Sequence, residues 1–112
     1  MDIKDLVKEA HQNAVEHGFW DEWASEERDV LAGHAENYYN AVGNMLMLIV
    51  SEVAEAQDGL RHGDTENFKE ELADVAIRLG DLCGGLNIDL ENEIKKKMEI
   101  NKSRPYKHGK EF

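Results

Sequence analysis

A helical bundle of about four to five α-helices is the fold class this sequence predicts, on three observations. The segments Val42 to Gly63 and Asn67 to Gly85 are apolar at helical spacing over more than one face. Acidic capping residues and glycines fall where these segments and their neighbours would begin and end. Two acidic pairs, Glu52 with Glu55 and Glu71 with Asp74, interrupt the apolar runs at spacings that keep each pair on one helix face. At 112 residues the chain makes a single domain, 1–112, small enough that an oligomer interface would help it substantially.

Taken in order, Asp2 is placed to cap a first helix with Ile3, Leu6, Val7, Ala10 and Ala14 on one face and Gly18 at its end. Phe19, Trp20 and Trp23 then crowd an acidic turn, where aromatics more often serve as core pegs than as platforms for a base. Ser25 opens a stretch in which Val30, Leu31, His34, Ala35, Tyr38 and Tyr39 are roughly periodic, weakened by Gly33. From Ala24 to Asn40 the pattern fits either a mobile lid or an extension of the next helix. That long helix stops at Gly63, and Asp64 or Thr65 caps its successor, so the two form a tight antiparallel hairpin with their acidic pairs facing. Gly84 and Gly85 end the second motif helix. Asp89 caps a last one, with Leu90, Ile94 and Met98 as its buried face. Glu91 and Glu93 lie early in it and Lys95, Lys96 and Lys97 late, as the helix dipole favours, with Glu91–Lys95 and Glu93–Lys97 at i,i+4.

Several function classes are excluded. A net charge of −11 disfavours a nucleic-acid polymer or an anionic membrane as partner. The lone Cys83 allows no intrachain disulfide and no thiolate cage, and reads as a small buried hydrophobe. The N-terminus lacks the pattern of a signal peptide and no apolar run spans a membrane, so a cytoplasmic location is expected. There is no Walker-type loop, GxGxxG or Cys/His metal spacing.

The acids in the apolar helices demand an explanation. After Glu71, Asp74, Arg78 and Asp81 fall on one narrow stripe, whereas a solvated face is wide and mixed in charge. A buried, unpaired charge costs several kcal/mol, on the order of the whole margin of folding, so clustered carboxylates need cations. Carboxylate oxygens without Cys or His suit Mg²⁺, with Mn²⁺ as a substitute. Either pair alone would read as an exposed helix face or an ordinary Asp74–Arg78 ion pair. Both together, in apolar runs joined by a short hairpin, predict a metal site between two helices. A basic island follows, with Lys97 and Asn101 one turn apart on a face and then Arg104, Lys107, His108 and Lys110. It reads either as a phosphate-binding group or as a solvated tail, since Pro105 ends any helix there.

Glu52-Val-Ala-Glu55 followed by Glu71-Leu-Ala-Asp74 resembles the motif of the MazG-like all-α NTP pyrophosphohydrolases, as do Leu48 to Ala56, Glu70 to Gly84, Glu16 to Glu22 and the tail from Lys97 to Phe112. Residues 24–41 depart from it. The resemblance implies a homodimer or homotetramer that hydrolyses a nucleoside or deoxynucleoside triphosphate to the monophosphate and pyrophosphate with Mg²⁺. Glu52, Glu55, Glu71 and Asp74 would be the metal-binding and catalytic residues, with Glu52 the candidate to orient the attacking water instead. Trp20 would hold the base. Arg78 would pair with Asp74 or reach a phosphate, and Lys97, Asn101, Arg104 and Lys107 would bind the substrate's phosphates. Two rivals remain: a non-catalytic helical interaction module, and a di-metal redox bundle, which characteristically uses Glu-x-x-His, a spacing that does not occur here.

Overall fold

Helix ends set the layout, and three of them close in the same way. The computed structural model describes residues 1–23, 33 and 35–109. It contains α1 (Ile3–Glu16), α2 (Ala35–Arg61), α3 (Thr65–Gly85), α4 (Leu90–Lys102) and a short 3-10 turn, Tyr106–Gly109. Asp2 caps α1 in a reciprocal box with Asp5, accepting from its N–H at 2.8 Å. Asp64 and Asp89 cap α3 and α4 by accepting from Asn67 N and Asn92 N, both at 3.1 Å. The C-terminal ends of α1 and α2 reverse at Gly18 and Gly63, both at positive φ. In each, the amide beyond the glycine reaches back to the helix: Phe19 N to Ala14 O at 3.1 Å, and Asp64 N to Gly59 O at 2.9 Å.

The end of α3 falls at Gly85, as expected, but the chain reverses two residues later. Gly84 and Gly85 lie inside the helix, and the left-handed residue is Asn87, with φ 56°. Ile88 N closes the turn on Cys83 O at 2.9 Å. The two glycines are there for space. A Cβ on Gly84 would meet the ring of His11, and one on Gly85 would overlap the indole of Trp20. They form a socket in which α1 and the turn after it seat against α3.

The long helix begins at Ala35, so residues 35–41 extend it at its N-terminus. The expectations for Ser25, Val30, Leu31, His34 and Lys110 fall outside the described residues. Helix α3 is central: α2 packs along one side of it, α1 along another, and α4 leans on α1. Gly59 brings α2 close to the start of α3, where a Cβ would lie 3.1 Å from Phe68 N. Lys4 of α1 and Lys95 both approach Glu91, at 3.8 and 3.7 Å. Lys96, not Lys97, pairs with Glu93.

Among the described residues the buried apolar core is small: Ala10, Ala14, Ala56, Leu82 and Cys83. Burial raises the Cys83 thiol above its ordinary pKa, as suits a structural thiol. Helix α2, expected to be buried, instead exposes Leu46, Met47, Leu48, Val50, Val53 and Leu60, while α3 exposes Leu72, Ile77 and Leu79. Met98, expected inside, is 57% exposed. The chain presents 8452 Å² to solvent, where a compact monomer of its mass presents about 6,200 Å².

Gly85→Ala tests the socket. The rigid indole must move to admit the methyl group, so a loss of about 1–3 kcal/mol is expected from overpacking, against a gain of under about 1 kcal/mol in helix propensity. Urea denaturation followed by tryptophan fluorescence measures the balance, and an unchanged midpoint with an unchanged spectrum contradicts the seating.

Candidate metal centre and adjoining pocket

The α2–α3 hairpin brings the acids together by register. Glu55 lies eight residues before Gly63 and Glu71 eight after it, so an antiparallel pair of helices sets them level. Glu52 is one turn further along the same face of α2. Carboxylate oxygens of Glu52, Glu55 and Glu71 lie within 4.8 Å of one another. Glu52 is buried, Glu71 half-buried and Glu55 exposed, giving a cluster that opens on one side.

Two of the carboxyls are pushed in opposite directions. Arg78 Nε donates to Glu52 Oε1 at 2.8 Å, and this bond first, then one from Glu71, holds the Glu52 carboxyl below its ordinary value of 4.5 despite burial. Glu71 is raised to about 7, first by its bond to Glu52, then by burial and the Glu55 charge. Its Oε2 is buried without a hydrogen-bond partner. A buried acceptor facing two other carboxylates wants a proton or a cation, and hard oxygen donors at this spacing could hold a metal ion.

Asp74 is exposed and stands outside the three-carboxylate cluster, among the described residues. It lines a neighbouring cavity of about 350 Å³ together with Glu52, Arg78 and Asp81. Phe19 and Trp20 also line the cavity, as do Asn13, Met45, Leu48 and Ile77. The carboxylate cluster and the aromatic turn therefore share one space through Glu52. Arg78 pairs with Glu52 across the helices, not with Asp74 one turn away; the interhelical partner is the one that α3 packs against.

Trp20 is both a packing residue and part of the cavity wall. It packs on Gly85, meets His11 and Trp23 edge-on with centroids 5.0 and 5.1 Å apart, and still lines the cavity. Trp23 leads on to Tyr38 of α2, 5.4 Å away. Asp81 was legible only as the last member of the α3 stripe; it accepts from Trp20 Nε1 at 2.7 Å and His11 Nδ1 at 3.0 Å, both on Oδ1. Nothing in the sequence pointed to His11 or Asn13, which become neighbours of the site only when α1 docks on α3.

The basic island stays apart. Lys97, Asn101, Arg104 and Lys107 are exposed, and none lines the cavity of its own chain. Lys107 lies over the ring of its neighbour Tyr106, 5.7 Å from the centroid.

No family model, curated protein or solved structure matches the chain.

Opposite shifts give opposite pH windows. Protonated Glu71 contributes stability that is complete below its unfolded value of 4.5 and is lost as pH rises through about 7. Glu52 contributes stability present above 4.5 and lost as pH falls through its depressed value. In metal-free buffer the melting temperature should fall between about pH 5 and about pH 8, and Glu71→Gln should flatten that decline. Adding Mg²⁺ should raise the melting temperature more at about pH 8 than at about pH 6, because the ion must displace the Glu71 proton. Thermal scans across pH with and without Mg²⁺ check both; a decline that survives in Glu71→Gln contradicts the assignment.

Proposed function

We propose that this chain is a Mg²⁺-dependent nucleoside-triphosphate pyrophosphohydrolase of the MazG-like kind, releasing pyrophosphate and the monophosphate. The observation that carries the reading is the unpartnered Glu71 Oε2, set among the Glu52 and Glu55 carboxylates beside a cavity that Phe19 and Trp20 line. Glu52, Glu55 and Glu71 would hold the ion, and Asp74, on the cavity wall, is the fourth acid within the motif. Bound there, Mg²⁺ supplies neutralisation of phosphate oxygens and a more acidic water, with Mn²⁺ able to substitute.

The chain's own groups supply the rest. Glu52, ionised and fixed by Arg78, is the carboxylate suited to orient an attacking water. Arg78 brings a permanent cation to the cavity, where it can meet a phosphate. Trp20 and Phe19 offer flat apolar surface to a base.

The reading includes a homodimer or a dimer of dimers, formed through the apolar residues that α2 exposes. A phosphate role for Lys97, Asn101, Arg104 and Lys107 also points this way, since none of them reaches the cavity of its own chain. Sedimentation at micromolar concentration should show a species of at least twice the chain mass; a well-folded monomer contradicts the assembly.

Pyrophosphate release from a panel of ribo- and deoxyribonucleoside triphosphates with Mg²⁺ tests the activity. Glu55→Gln and Glu71→Gln should each lower turnover by about a hundredfold or more, as expected when charge stabilisation of a transition state is lost. At about pH 8, where Glu71 is ionised, neither should lower metal-free stability, because each removes a like charge. Near-normal turnover in both variants returns these acids to an ordinary helix surface.

A further inference from the structure

Asp81 is fixed more firmly than any other acid lining the cavity outside the carboxylate cluster. Its Oδ1 accepts from two aromatic N–H groups, Trp20 Nε1 at 2.7 Å and His11 Nδ1 at 3.0 Å. The side chain is 24% exposed and lines the cavity, and among the described residues no hydrogen bond reaches Oδ2. Gly84 and Gly85, on the next turn of α3, leave the room that lets both rings come so close. A carboxylate held in this way has one orientation and one oxygen to offer. Along α3 it stands two helical turns, about 10 Å, beyond Asp74, and its bond to Trp20 sets it beside the aromatic wall of the cavity.

We propose that Asp81 is a specificity-determining residue that accepts, through Oδ2, a hydrogen bond from the exocyclic amino group of a flat heterocycle seated against Phe19 and Trp20. This deepens the nucleotide reading above and rests on it for the identity of the heterocycle as a nucleobase; it selects bases of the cytosine or adenine type. Three features of the cavity agree. Its aromatic walls suit a planar ring. The remaining oxygen of a clamped carboxylate accepts a hydrogen bond and cannot donate one, so an amino group is welcome and a carbonyl oxygen in the same place is repelled. The clamp also removes the option of rotating away, which is what turns a hydrogen bond into selectivity.

Titration calorimetry of the full chain in EDTA separates base recognition from metal-dependent chemistry. Cytidine should bind roughly ten- to a hundredfold more tightly than pyrimidin-2-one riboside, which keeps the ring and lacks the amine, as one charge-assisted hydrogen bond predicts. Adenosine and purine riboside should differ in the same direction. In Asp81→Asn the amide oxygen should take the place of Oδ1, because an NH₂ facing two N–H donors is repelled. The outer atom then becomes a donor, so the preference should pass from cytidine to uridine with tryptophan fluorescence unchanged.

Equal binding of cytidine and its amine-free analogue by the parent overturns the proposal without any variant. So does the absence of cytidine binding at millimolar concentration, or a cytidine-to-uridine ratio unaltered in a folded Asp81→Asn. Pyrophosphate release without an amine preference would sink this inference alone. Amine-selective nucleoside binding without pyrophosphate release would sink the hydrolase reading alone.

Discussion

Three carboxylates within 4.8 Å of one another repel, and the surrounding helices hold them there. Like charges at that distance do not assemble by themselves; packing must impose the arrangement and something must compensate it. The Schellman turn at Gly63 and the close approach at Gly59 fix the register of α2 on α3. Arg78 then neutralises one acid across the helices, and a proton on Glu71 relieves the others when no cation is present. The hairpin, with its compensated repulsion, is the constraint to which the rest of the molecule answers.

The second anchor is built further along α3, where α1 and the turn after it dock. Glycines at 84 and 85 admit His11 and Trp20, and Asp81 binds both rings. This docks an aromatic wall against the same helix that carries Glu71, so both parts of the cavity are referred to one rigid rod. Distances between them are then set by helical rise and not by loop conformation. The aromatic series continues through Trp23 to Tyr38, which links the turn after α1 to the N-terminal part of α2.

Stability has to be read against the exposed apolar side chains of α2. Among the described residues the buried hydrophobic set is mostly small, three alanines with Leu82 and Cys83, while Met47, Val50, Val53 and Leu60 are more than half exposed. Burying one large aliphatic side chain is worth about 1.5–3 kcal/mol, and the net stability of a domain is only about 5–15 kcal/mol. The coverage of that face therefore weighs as much as anything inside the single chain. The charge balance agrees, because neither the cluster nor the acidic turn lies on the apolar stretch from Leu46 to Val50.

The sequence by itself determined the helices, their capping acids and the pairing of two acidic motifs across a short turn, because periodicity and caps are local and a hairpin's register follows from counting residues. It also marked Glu52, Glu55, Glu71 and Asp74 as one group, of which the first three lie within 4.8 Å of one another. Tertiary structure alone decided that Arg78 serves Glu52 instead of Asp74, that Asp74 stands at the cavity wall, and that Asp81 clamps Trp20 and His11. Gly84 and Gly85 were legible as the helix end, but their packing role was not, for the same reason. A glycine in a helix looks like an end when only its own chain is considered, whereas here its missing side chain is the space that another helix fills, and no local pattern records which distant residue will come to fill it.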